Sequence, residues 1–124
     1  MTDDEVMKLC DVVRETSFAI HEYLRSGHLE KVYENALVNR LRKQGLKVEQ
    51  QIPLTVYDED GTIIGNFVAD LFIENELIAE IKACKTIVDE HTSQILGYLR
   101  AAHMRHGVLI NFGAQKFQMR KFAN

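Results

Sequence analysis

Asp70, Glu80 and Lys82 stand at a spacing that suits metal-assisted chemistry. They lie within N-F-V-A-D-L-F-I-E-N-E-L-I-A-E-I-K-A, residues 66–83. This stretch reads as two β-strands joined by the polar turn Glu74-Asn75-Glu76. Strand side chains alternate faces with a period of two. A hairpin centred on Asn75 therefore puts Asp70 directly opposite Glu80, with Lys82 on the same face one strand repeat further on. The odd positions Phe67, Ala69, Leu71, Ile73, Leu77, Ala79, Ile81 and Ala83 are all apolar, so a one-residue slip of register would expose them. Two carboxylates facing each other destabilise a strand pair. A cation between them removes that penalty, and clustered acids supply the hard oxygen ligands that Mg²⁺ prefers. Lys82 adds a donor for an anionic oxygen or an attacking water. The plainer alternative is an acidic pair on a solvated sheet edge, with Lys82 as its counter-ion.

The elements that must position these residues follow from periodicity. Residues 3–25 predict a helix with the stripe Val6, Leu9, Cys10, Val13, Ser17, Ile20 and Leu24, capped by Thr2 or Asp3. Ser26-Gly27-His28 breaks it. A second helix is expected over 29–44, with Leu29, Val32, Tyr33, Ala36, Leu37 and Leu41 on its apolar side and Gly45 at its end. A strand over 47–57 places Val48, Gln50, Ile52, Leu54 and Val56 on one face. Pro53 confines that strand to an edge or a bulge. Asp58-Glu59-Asp60-Gly61 is a hairpin turn, and Gly65 marks a candidate bulge in the next strand. After the central hairpin, residues 88–103 predict a third helix. Val108-Leu109-Ile110-Asn111-Phe112 reads as a strand buried on both faces, and a last strand covers 116–122. The order ααβββαββ implies an α/β domain spanning 1–124, with a mixed sheet flanked by helices and one parallel pairing across the third helix.

Two further polar sets lie on helices. Glu30 and Glu34 are four apart and share a helix face beside Tyr33 and Leu37. Taken alone, Glu30 reads as a first-turn acid favoured by the helix dipole. His91, Gln94 and Tyr98 share one side of the third helix. Their plainer reading is a solvated face, with His91 a surface residue of the first turn.

The segment Gly27-x-x-Glu30-x-x-Tyr33, with Gln51-Ile52-Pro53-Leu54, Asp70-Leu71, Glu80-Ile81-Lys82-Ala83, His91, Gln94, Tyr98 and Gly107-Val108-Leu109-Ile110-Asn111-Phe112-Gly113, resembles the GxxExxY proteins. That family resembles a compact branch of the PD-(D/E)xK nuclease superfamily, with its restriction-endonuclease-like fold. The resemblance implies that Asp70 and Glu80 ligate Mg²⁺ or Mn²⁺ with the backbone carbonyl of Ile81, and that Glu30 is the helical acid near the metal. Lys82 then serves the attacking water or the phosphate. Gln94-x-x-x-Tyr98 resembles the Q-x-x-x-Y element of RecB-like nucleases, which implies contact with the site or the nucleic-acid backbone.

The whole sequence sets bounds. Its 124 residues suit one domain, and 46% hydrophobic residues support a real core. A net charge of −3 argues against a broad, charge-driven nucleic-acid binder, while leaving room for a local basic surface from Arg100, Arg105, Lys116, Arg120 and Lys121. No apolar run is long enough to span a membrane. The acidic N-terminus lacks a secretory h-region, so a cytoplasmic location is expected. Cys10 and Cys84 lack metal-ligand spacing, which speaks against structural zinc. The expected function is metal-assisted phosphodiester hydrolysis on nucleic acid, DNA first, with a homodimer as the simplest way to cut both strands of a duplex. The rival is a non-catalytic nucleic-acid-binding or protein-interaction module on the same fold.

Overall fold

The computed structural model describes residues 1–124. Helix α1 (Asp3–Leu24) begins with a reciprocal cap. The Glu5 N–H donates to Thr2 Oγ1 and the Thr2 N–H donates to Glu5 Oε1, both at 3.1 Å. Its buried stripe holds Val6, Leu9, Cys10, Val13, Ser17 and Ile20 as expected, and also Thr16 and His21.

The link to α2 (Glu30–Lys43) gives the Gly27/Tyr33 spacing a structural meaning. Arg25 and Gly27 both take positive φ, 59° and 113°, and glycine adopts that conformation without a Cβ penalty. The Tyr33 hydroxyl then donates to the Arg25 carbonyl at 2.5 Å and accepts the His28 N–H at 3.1 Å. The Tyr33 ring stacks on Phe112 with centroids 4.8 Å apart. One side chain thus ties the interhelical turn to the core. The apolar side of α2 begins later than its periodicity suggests. Leu29 and Val32 are exposed, while Leu37, Val38 and Leu41 are buried.

The remaining elements are β1 (Val48–Tyr57), β2 (Ile63–Ile73), β3 (Leu77–Lys82), α3 (Asp89–Ala101), β4 (His106–Asn111) and β5 (Gln118–Ala123). They form a five-stranded sheet in the order β1-β2-β3-β4-β5. Pro53 sits on the edge strand β1, as its missing N–H requires. β3 and β4 pair in parallel across α3, and the other pairings are antiparallel. All six residues of β4 are buried. This mixed sheet with its flanking helices is consistent with a restriction-endonuclease-like fold.

Two apolar cores lie on the two faces of the sheet. One contains Val6, Leu37, Leu41, Val48, Leu71, Ile73, Leu77, Ala79, Ile81 and Ile110, under α1 and α2. The other contains Phe67, Ala69, Ile78, Leu109, Ile95 and Leu99, under α3. The odd residues of the central hairpin are therefore divided between two cores, contrary to the single face expected. Phe67 and Ala69 join α3, whereas Leu71 and Ile73 join α1 and α2. β1 divides too. Val48 packs on the α1/α2 side, while Leu54 and Val56 pack on the α3 side. Both strands exchange faces at the same level, where the register lacks a pair between Gln50↔Leu71 and Ile52↔Ala69; a second irregularity lies near the strand end, at Val56/Tyr57. Gln51 has φ 53° there.

The end of β4 presses against the end of β3. A Cβ on Gly113 would lie 2.3 Å from Ala83 C and 2.3 Å from Cys84 N, both backbone atoms. Gly97 of α3 has open space instead. Gly113→Ala is expected to destabilise the protein by about 1–3 kcal/mol. Gly97→Ala should be neutral or stabilise by up to about 1 kcal/mol. Urea unfolding of the two variants checks this opposite pair of signs.

Candidate active site

The site forms where β2 and β3 part. Their ladder is centred on Asn75 and runs from Ile73↔Leu77 to Leu71↔Ala79. It stops one pair short of Asp70 and Glu80, so the direct cross-strand pair expected from the register is not made. The strands diverge, and the Asp70 side chain fills the opening. Its Oδ2 accepts the Ile81 N–H at 2.7 Å. A carboxylate that replaces a ladder carbonyl in this way is fixed in orientation by the sheet itself.

Glu80 lies between Ala79 and Ile81, which belong to the α1/α2 core. Alternation turns it, with Lys82, to the side of Ile78 and α3. Its Oε1 is buried without a hydrogen-bond partner. Burial pushes the Glu80 carboxyl up to about 8, and the negative charge of Asp70 adds to that rise. Lys82 pulls the other way without cancelling it. At neutral pH this carboxyl is mainly protonated unless a cation takes the proton's place.

α3 covers the same face. Gln94 Nε2 donates to the Tyr98 hydroxyl at 2.8 Å, and Tyr98 stacks on Phe67 with centroids 3.9 Å apart and an interplanar angle of 11°. Gln94 and Tyr98 therefore act as one unit tied to β2. His91 has a local role. Its Nδ1 accepts the Val88 N–H at 3.3 Å, which caps α3.

On α2 the two acids differ. Glu30 is exposed and takes part in no side-chain hydrogen bond or ion pair. Glu34, one turn on, is 3% exposed. It accepts from Lys31 Nζ at 3.0 Å, Gln50 Nε2 at 2.8 Å and Gln51 Nε2 at 3.0 Å. Gln51 Nε2 also lies 3.5 Å from Asp70 Oδ1. The helix carboxylate linked to Asp70 is thus Glu34, and the place given to Glu30 from the sequence is corrected to that extent. The helical spacing of Glu30 and Glu34 signalled a shared face, but not which acid the sheet would cover.

A second set of residues holds the far end of β3. Asn111 is fully buried and stands opposite Lys82 in the parallel ladder. Its Oδ1 accepts the N–H groups of Cys84 and Gly113 at 3.1 and 3.0 Å. Its Nδ2 donates to the Cys84 carbonyl at 3.0 Å and to Gln118 Oε1 at 2.9 Å. Gln118 Oε1 also accepts the Ile87 N–H at 3.1 Å. This network fixes the chain just after Lys82. A lone Asn at the end of an apolar strand is its only sign in the sequence.

The donor set suits a hard divalent cation. Among the residues of the chain no group of three or more His, Cys, Asp or Glu gathers as a ready metal cage. Mg²⁺, however, is usually held by one or two carboxylates, with waters and substrate oxygens completing its shell. The unpartnered Oε1 of Glu80 beside the Asp70 carboxylate fits that mode.

The profile of the PD-(D/E)XK nuclease superfamily matches residues 7–122, and the chain belongs to that superfamily. The crystal structure of SSO0001 superposes with a TM-score of 0.62 at 17% identity, over 77% of this chain and 50% of that one. This chain therefore spans half the length of that protein, and the likeness is one of fold. No curated protein matches in sequence.

The raised Glu80 carboxyl links stability to pH. Between the ordinary 4.5 and about 8 the folded state keeps a proton that the unfolded chain releases. The stabilisation is complete below that window and is lost as pH rises through it. In metal-free buffer the wild type should lose a few kcal/mol between pH 5 and pH 8, at about 1.4 kcal/mol per pKa unit. Glu80→Gln should flatten the slope. Urea titrations of both proteins at the two pH values measure the difference.

Proposed function

We propose that the protein is a Mg²⁺- or Mn²⁺-dependent nuclease of the GxxExxY type, which hydrolyses phosphodiester bonds in nucleic acid, with DNA as the first substrate to try. The observation that carries this reading is the partly buried Glu80 carboxyl, whose Oε1 is buried without a partner, beside Asp70 at the opening of the β2–β3 ladder. A group so placed is stable as an anion only beside a cation. Membership of a superfamily whose members are typically nucleases supports the same chemistry.

In this reading Asp70 and Glu80 would hold the metal, with the Ile81 carbonyl as a further oxygen, and the helix carboxylate linked to them is Glu34, through Gln51, while Glu30 stays outside. When bound, the metal supplies Lewis acidity and lowers the pKa of water. Asp70 stays in place through the Ile81 N–H. Lys82 projects from the strand end that Asn111 secures. Its ammonium orients the attacking water or meets the charge that develops on the phosphate oxygens. The Gln94–Tyr98 unit presents an amide and a phenol to the nucleic-acid backbone. Two copies in a homodimer would address the two strands of a duplex.

The test is cleavage of a panel of single- and double-stranded DNA and RNA with Mg²⁺ or Mn²⁺. Asp70→Asn should abolish cleavage. Lys82→Ala should still bind metal but turn over at least about a hundredfold more slowly, the cost of removing one stabilising donor. Binding of nucleic acid that is independent of metal and unchanged by Asp70→Asn, without cleavage, would favour a non-catalytic binding module.

A further inference from the structure

We infer that Gln51 is a positioning residue for Asp70, and that its left-handed backbone at the middle of β1 turns it toward both Asp70 and Glu34. The inference rests on the functional reading above for its consequence, but its basis is geometric. Gln51 has φ 53° inside a strand, a conformation that a non-glycine residue keeps only when its surroundings require it. The β1–β2 register has no pair at its level, between Gln50↔Leu71 and Ile52↔Ala69, and that level is the one occupied by Asp70. Both strands change faces there, as the division of Val48 from Leu54 and of Leu71 from Ala69 shows.

The hydrogen bonds give the distortion a use. An extended residue at position 51 would point to the opposite face from Gln50. Yet Gln50 Nε2 and Gln51 Nε2 both reach Glu34, at 2.8 and 3.0 Å. The same Gln51 amide lies at the limit of hydrogen bonding from Asp70 Oδ1, at 3.5 Å. Asp70 Oδ2 is held on its other side by the Ile81 N–H at 2.7 Å. Gln51 thus stands as a donor between a carboxylate that is nine-tenths buried and one that faces the opening. It leaves Asp70 with a fixed orientation and with its charge available.

Outer partners of this kind commonly change metal affinity by about 10–100-fold when lost. Gln51→Leu removes the donor and keeps the bulk. Gln51→Gly removes the donor and relieves the backbone, so it guards against misfolding of the Leu variant. The measurements are Mn²⁺ affinity by calorimetry and amide hydrogen exchange at Ile81 by NMR, on the full chain. The expected result is at least about tenfold weaker Mn²⁺ binding in both variants, with faster exchange at Ile81 and unchanged exchange at Ile110. Glu34→Gln should weaken Mn²⁺ binding less than Gln51→Leu does, and the double variant no more than Gln51→Leu alone. Wild-type affinity and wild-type Ile81 exchange in folded Gln51→Gly would overturn the inference. Failure of the wild type itself to bind Mn²⁺ would sink the functional reading, and Ile81 exchange would then alone decide whether Gln51 positions Asp70.

Discussion

A carboxyl withdrawn from water beside another carboxylate has to be neutralised, by a proton or by a cation. Glu80 is in that position. Burial does most of the work and Asp70 adds to it, while Lys82 compensates only in part. On the proposed reading, the site is a place where a proton and a divalent metal would compete. The cost of holding it falls on the metal-free protein above neutral pH, because the desolvation of an anion is repaid only by a close counter-charge.

The rest of the architecture makes that burial possible without letting the two acids drift apart. β2 and β3 separate after Leu71↔Ala79, and Asp70 bridges the gap through the Ile81 N–H. β4 is buried along its length and pairs in parallel with β3, so the strand carrying Glu80 and Lys82 is held from one side as it parts from the other. Asn111 and Gln118 then fix the loop beyond Lys82. Polar groups buried this deeply have to be fully paired. The network around Asn111 meets that condition, and the carboxylate of Glu34 does as well. Five buried side-chain atoms lack a partner, Ser17 Oγ, His21 Nδ1, Glu80 Oε1, Thr92 Oγ1 and His106 Nδ1, and Glu80 Oε1 is the only carboxylate oxygen among them.

Much of the fold was legible in the sequence, because it rests on local rules. Helical stripes, the cap at Thr2, the edge position of Pro53 and the apolar run of β4 all follow from periodicity and turn chemistry. The hairpin register followed from its polar turn, and the grouping of Asp70, Glu80 and Lys82 from a motif. Tertiary placement was less legible. Alternation predicts one face for a whole strand, but it has no means of detecting a residue such as Gln51 that reverses the faces of two strands at once. Glu30 and Glu34 are equivalent by helical spacing, and only the packing of β1 against α2 distinguishes them. Leu29 and Val32 look like core residues on a helical wheel, yet Leu29 is the N-cap residue, Val32 lies on the first turn, and both are exposed.

The central claim is that the Asp70–Glu80 pair exchanges a proton for a divalent cation. Calorimetric titration of Mg²⁺ or Mn²⁺ at pH 7, repeated in two buffers of different ionisation enthalpy, counts the protons released on binding. The account predicts binding with release of close to one proton, and loss of that release in Glu80→Gln. Binding with no proton release, or with the same release in Glu80→Gln, would contradict it.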